Sequence, residues 1–239
     1  SVSSGAALGA TVAISLRLNA LAGIFAVPLL AFMGALLTTQ AVYLLSRVGN
    51  KVSVTSLLLA GIAVGSFLSA VVSLLMVLKN DGMHQIIFWM MGGFSARGWE
   101  HVYMALPYVL AGLAVIFALR REMNLLLLGE ETAQQLGVNV RRLQMILLAA
   151  GSLVAAAAVS VSGIVGFVGL IVPHVMRFLV GADHRLLLPA AALAGGIFLL
   201  AADTLARTVM APVEVPVGIL TALTGAPFFL YLLRRSRVQ

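Results

Sequence analysis

The sequence contains no cysteine, so disulfides and thiolate metal sites are excluded, and redox chemistry says nothing about compartment. Charge is scarce too. Asp, Glu, Lys and Arg make up 10% of the residues, against about 25% in a soluble domain. The only lysines are Lys51 and Lys79. Neither stands in the G-x-x-x-x-G-K-[ST] context whose backbone amides cradle phosphates, so the chain carries no such nucleotide-binding loop. There is no H-E-x-x-H, and no nucleophile–base pair stands out to support an enzyme within the membrane. His174 is the one histidine near a predicted helix interior, and no carboxylate lies close to it in sequence. It reads as a structural donor near an interface rather than a ligand.

What is abundant is apolar. The hydrophobic fraction is 62%, and the mean hydropathy is +1.10. Successive apolar runs of 18 or more residues read as membrane helices, so residues 1–239 form a single transmembrane domain. The first run, Gly5 to Leu18, is short and carries a Gly5-x3-Gly9 pair suited to close helix packing. Arg17 and Asn19 then make a turn. Ala20 to Leu45 spans, with Pro28 near its start, and Ser46 to Lys51 is a basic loop. Ser53 to Leu78 spans next. Its Gly61-x3-Gly65 pair and Ser66, Ser69 and Ser73 either seat a neighbouring helix or line a polar pathway. After a turn at Lys79-Asn80-Asp81-Gly82, Gln85 to Met91 is too short to span. It reads as interfacial or re-entrant, with Trp89 at headgroup depth and Arg97, Trp99, Glu100 and His101 at the same surface. Tyr103 to Leu119, Val140 to Val161, Gly169 to Val180, Leu186 to Arg207 and Val217 to Leu233 complete eight crossings, counting the short first and sixth.

One polar stretch interrupts this pattern. Between Arg120 and Arg142 stand four arginines and three glutamates. At the centre, Gly129 to Gly137 reads as a two-turn helix outside the hydrocarbon. Glu130 and Glu131 suit its positive end, and Gly137 its left-handed stop. Ala133, Leu136 and Val140 fall at helical spacing as one narrow apolar stripe. A solvated loop with a helical turn is the plainer alternative.

Basic residues orient the chain. Eleven of the 15 lie in the loops shared with this polar stretch and the C-terminus, and four (Arg17, Lys79, Arg97 and Arg207) lie in the other set. The positive-inside rule then places the stretch, the C-terminus and the first residue in the cytoplasm. Asp203 is the one ionisable group that qualifies as intramembrane. Arg207, four residues on, pairs with it by helical spacing, which explains it without a proton relay.

Several motifs now fall in order. Gly129-Glu130-Glu131-Thr132-Ala133-x-x-Leu136-Gly137 resembles the coupling segment of ATP-binding-cassette importer permeases. The run from Ser162 to Arg177, through Pro173-His174, is more specific. It is followed by Asp183-His184-Arg185-x4-Pro189 and by Ala202-Asp203-x3-Arg207. With Trp89-Met90-Met91-Gly92-Gly93 and Glu214-Val215-Pro216-Val217-Gly218, the set is similar to the FecCD-type permeases, which import iron-siderophores, haem and vitamin B12. The resemblance covers essentially the whole chain.

This resemblance implies an all-α polytopic fold, with about eight crossings of a ten-helix permease plus short interfacial and coupling helices. The first residues resemble the family's third helix, so the first two are expected to be missing. The implied function is a non-catalytic permease subunit of a binding-protein-dependent importer in the bacterial cytoplasmic membrane. A siderophore is its leading cargo, and haem or cobalamin are the alternatives. A second permease copy or paralogue would complete the pathway, lipid would surround it, and no nucleic acid is involved. Two ATPase subunits would use ATP and magnesium, and no cofactor is bound by this chain. A periplasmic or lipid-anchored binding protein would deliver the chelate. Residue by residue, Gly129, Glu130, Thr132, Ala133, Leu136 and Gly137 match the segment that fits a groove on the ATPase. Ser53, Val54 and Thr55 match a cytoplasmic gate at the dimer axis, or else simply cap the helix they begin. Arg207 matches an arginine that docks an acidic residue of the binding protein, and Pro173, His174, Arg177 and Asp203 belong to the family motifs. The helices Ser53 to Leu78 and Val217 to Leu233 match those lining the pathway. A secondary carrier or channel is the runner-up, which internal inverted repeats would favour; none is convincing here.

Overall fold

The computed structural model describes residues 1–18, 23–48, 51–79 and 82–236. Asn19, Asn50, Asn80, Asp81 and Arg237, which the sequence places in loops, lie outside them, as does the Val54 side chain. Among the described residues the regular structure is helical apart from one minimal two-stranded pairing. The helices are α1 (Val2–Ser15), α2 (Ala26–Ser46, entered through a 3-10 turn at Gly23–Phe25), α3 (Val54–Leu78), α4 (Met83–Met91), α5 (Trp99–Ala118) and α6 (Arg120–Leu126). They continue with α7 (Glu130–Gln135), α8 (Val140–Ser162), α9 (Val168–Val180), α10 (His184–Thr208) and α11 (Val217–Ser236). Five stretches are long and apolar enough to cross a membrane: Gly23–Ser46, Thr55–Leu78, Trp99–Ala118, Val140–Ser162 and His184–Thr208. Three shorter apolar helices, Val2–Ser15, Val168–Val180 and Val217–Leu230, complete the eight runs read from the sequence.

The chain divides into two compact units. One comprises Ser1–Met90, Ser95–Val109 and Ser152–Ile164. Its centre is α1 against α2, where Ala6, Ala7, Ala10 and Ala13 meet Val27, Ala31 and Ala35. The expected glycine contact is real. A Cβ on Gly9 would collide with the Leu30 carbonyl, and one on Gly5 with the Gly34 carbonyl and Thr38. Small residues let the backbones touch, which is how helices gain dispersion energy in lipid, where there is no hydrophobic drive to associate.

Helix α4 is held by protein packing as well as by length: Trp89 and Ile86 are buried in the same apolar cluster as Ala10 and Ile14 of α1. An 18-residue hydropathy rule reads only that such a helix is too short to span. The basic loop after α2 pairs Arg47–Val48 antiparallel with Lys51–Val52 as a two-residue hairpin. In addition α5 starts at Trp99 rather than Tyr103: its polar first turn is capped from within, and His101 is buried, accepting the Gly98 N–H at Nδ1 over 3.4 Å. Trp99 is exposed and stacks on Tyr103 at 6.1 Å.

The other unit comprises Met91–Phe94, Leu110–Gly151 and Val165–Gln239. Here α9 packs against α10. Phe167 precedes α9 in the left-handed region (φ 65°), and its ring fills the space that a side chain on Gly225 of α11 would need. Phe94 closes a small core with Ala202, Ala206 and Val217. In both units large apolar side chains face outward: Leu58, Ile62 and Phe67 on α3, Leu193, Ile197 and Leu200 on α10. Helices that satisfy their own backbone and leave such faces open suit hydrocarbon as the solvent.

Candidate functional site

The polar stretch folds into three consecutive helical pieces. Helix α6 follows α5 after Leu119, where the sequence pattern shows only a polar stretch. Arg120 lies over the Phe117 ring at 4.4 Å, which gives it a partner in the preceding helix. Gly129 (φ 105°) turns the chain out of α6, and Gly137 (φ 87°) turns it back toward α8; a side chain at either would be strained. Between them α7 holds six residues with Glu130 and Glu131 in its first turn, as the charge pattern requires.

The expected stripe does not form. Ala133 and Val140 point inward and are buried with Val138 and Leu143, under Leu119, Leu125, Leu126 and Leu147. Leu136 lies one residue past the end of α7 and is 56% exposed. Left-handed Gly137 breaks the 3.6-residue period, so spacing across it no longer means a shared face. The outer surface of this segment therefore carries Glu130, Glu131, Thr132, Gln134, Gln135 and the exposed leucine Leu136. Of α7, only Ala133 anchors inward. Outside the helix core, the Gln144 amide donates to Glu130 Oε1 at 3.1 Å, and Asn139 Oδ1 caps α8 by accepting the Arg142 N–H at 3.0 Å.

Sequence reasoning missed a junction just upstream. Asn124 of α6 reaches the start of α10, about sixty residues away in sequence. Its Nδ2 donates to Asp183 Oδ1 at 2.6 Å, and its Oδ1 accepts the His184 backbone N–H at 2.9 Å and faces His184 Nδ1 at 2.8 Å. The backbone N–H can only donate, which fixes the amide orientation, and the His184 ring then carries its proton on Nδ1. Asp183 Oδ1 also caps α10 locally by accepting the Arg185 N–H at 2.9 Å. That backbone N–H, then the Asn124 amide, holds the Asp183 carboxyl below the ordinary aspartate range. No spacing rule joins residues 124 and 183; the only hint was a polar residue standing before four leucines.

The other predicted residues are dispersed. Ser53 caps α3: its Oγ accepts the Ser56 N–H at 3.0 Å and donates to Ser56 Oγ at 2.8 Å, and Thr55 is exposed. Pro173 lies within α9, where His174 and Arg177 are exposed. The buried histidines are His101 and His184 instead, each in the first turn of a helix. Arg207 Nε donates to Asp203 Oδ2 at 2.9 Å, and 43% of the arginine side chain remains exposed. The pair seen by spacing is therefore formed, and it leaves the guanidinium accessible. Among the described residues, no three His, Asp or Glu side chains gather where a metal ion could be held.

Apolar helices open to an apolar solvent, with a short polar helix carried outside them between two positive-φ glycines, define a polytopic helical membrane protein. The chain belongs to the FecCD transport family, whose profile matches residues 1–235. It is 50% identical over 238 residues to the cobalamin import system permease protein BtuC of Halobacterium salinarum, covering 100% of this chain and 63% of that protein. It is 43% identical over 241 residues to the hemin transport system permease protein HmuU of Yersinia pestis, covering 100% of this chain and 72% of that protein. Among solved structures it is similar to a metal-chelate type ABC transporter in an inward-facing conformation, with a TM-score of 0.84 and 34% identity over 98% of this chain and 74% of that one. The chain thus spans about two thirds of the length of these relatives.

Proposed function

We propose that this chain is the membrane-spanning part of an ATP-driven importer for a metal chelate. Its relatives are named for cobalamin, hemin and ferric citrate, which supports a metal chelate as cargo, an iron-siderophore first and haem or cobalamin as alternatives. The carrying observation is the exposed segment 129–137. It is a short helix outside the apolar bundle, anchored by Ala133, with Leu136 exposed at its end. Such an element suits a groove on an ATPase subunit, whose closure on ATP and magnesium would move it as a body. Ser53, Val54 and Thr55 open the helix α3, which with α11 would line a pathway shared with a second permease copy or paralogue. On the outer side Arg207 would meet an acidic group of a binding protein. The setting is a bacterial cytoplasmic membrane, with the 120–142 stretch and the C-terminus inside.

The test is reconstitution of the full-length permease with its ATPase and binding protein in proteoliposomes. ATP-dependent accumulation of labelled cobalamin, haem or ferric siderophore is expected, and accumulation driven by an ion gradient without ATP would overturn it. Orientation has its own check in the cysteine-free background: a cysteine at Gln134 should label only from the cytoplasm, and one at Val213 only from outside.

A further inference from the structure

We infer that Asn124 is a positioning residue, clamping the start of α10 to the coupling segment so that displacement of that segment is passed into α10. The inference rests on the importer reading above. Helix α10 is capped twice. Asp183 caps it from its own chain end, as any helix can be capped. Asn124 caps it from α6, using both ends of one amide and satisfying the His184 N–H that a helix start leaves orphaned. Asn124 lies five residues before Gly129, so the clamp and the coupling helix belong to one short segment. Helix α6 packs both on α7 and on α10.

The geometry gives this clamp a mechanical reading. The His184 ring is buried and turned onto the same oxygen, so α10 cannot slide or rotate at its start without breaking three contacts at once. Helix α10 has 25 residues and is about 37 Å long at 1.5 Å per residue, and it ends at the Asp203–Arg207 pair. A push on the coupling segment is thereby delivered to the start of the helix whose far end carries the exposed arginine, with Pro189 in its second turn. A local cap such as Ser53 on α3 has no such reach.

The test uses the assembled full-length transporter, reading substrate imported per ATP hydrolysed. For Asn124→Ala we expect membrane abundance and basal hydrolysis within about twofold of wild type, but import per ATP about fivefold lower, the scale of a typical coupling energy. Asn124→Asp should be as poor, because two carboxylates then face each other where an amide donated. The double variant Asn124→Asp, Asp183→Asn exchanges donor and acceptor while keeping acceptors for His184 and Arg185, and should return import per ATP toward wild type. Wild-type import per ATP in Asn124→Ala would overturn the inference. So would a loss of abundance that the double variant repairs while surviving molecules of every variant stay fully coupled, since Asn124 would then only stabilise the start of α10. If wild type shows no ATP-dependent import, the importer reading itself fails; coupled wild type with equally coupled variants removes only the clamp.

Discussion

The α1–α2 contact and the junction of α6 with α10 both hold two segments together, and they do so by opposite means. At α1–α2, glycines and alanines bring backbone against backbone, with no room for another methyl. At the junction one half-buried amide spans the gap with directed hydrogen bonds. Close packing resists displacement in every direction and has one good arrangement. Hydrogen bonds near water exchange for bonds to solvent at a net cost of about 0.5–1.5 kcal/mol each. The first kind of contact fixes two helices over their whole length, the second ties two segments at one point so that they move together.

The largest effect should come from breaking the first. Gly9→Leu inserts a side chain where a Cβ alone strikes the Leu30 carbonyl. Overpacking of this sort costs about 1–3 kcal/mol or more. The thermal midpoint in detergent and the amount in the membrane should both fall, while import per surviving molecule holds; unchanged stability would show that α1 and α2 can separate freely.

Leu136→Asp should do the reverse. Leu136 is exposed and supports no core, so abundance is expected to stay level. A carboxylate should not seat in an apolar groove, and uptake should drop about tenfold, equivalent to roughly 1.4 kcal/mol of lost association. Unchanged uptake together with unchanged co-purification of the ATPase would rule out this face.

A smaller change is expected at the far end of α10. Arg207→Glu should weaken binding-protein association several-fold and leave what remains less salt-sensitive, as an attractive charge becomes repulsive. Asp203→Arg with Arg207→Glu restores an intrahelical pair but keeps the wrong sign outside, so recovery of uptake in that double variant would refute docking.

The smallest effect concerns acid. The Asp183 carboxyl is held below its ordinary range, so its contribution to stability is fully present above the unfolded aspartate value near 4 and is lost as pH falls through the lower folded value. Thermal melts between pH 5 and 8 should therefore show no step from this group, with a loss confined to more acidic solution and absent in Asp183→Asn. A step near neutrality that vanishes in Asp183→Asn would contradict the assignment.

The same contrast explains what could be read without coordinates. Gly5 and Gly9, the apolar runs and the Ser53 cap act within one helix period, so residue type and spacing expose them. The left-handed stop at Gly137 is legible for the same reason, whereas the positive φ of Gly129 comes only from the structure. Leu136 was assigned to a shared stripe because a period was carried across a glycine that ends it. The burial of Trp89 against α1 leaves no trace in a nine-residue helix, because tertiary packing sets it. The Asn124 junction was invisible: an asparagine binding sixty residues away leaves no periodic trace.

Helix α7 has a further consequence. Its two bounding glycines make their own turns, Ala133 is its one buried residue, and Glu130 is tied to Gln144 of α8, so Glu131, Thr132, Gln134, Gln135 and Leu136 form an outer face that supports no core. On the proposed coupling role, exchanging those five for another permease's should change which ATPase the segment fits and leave the packing around Ala133 untouched.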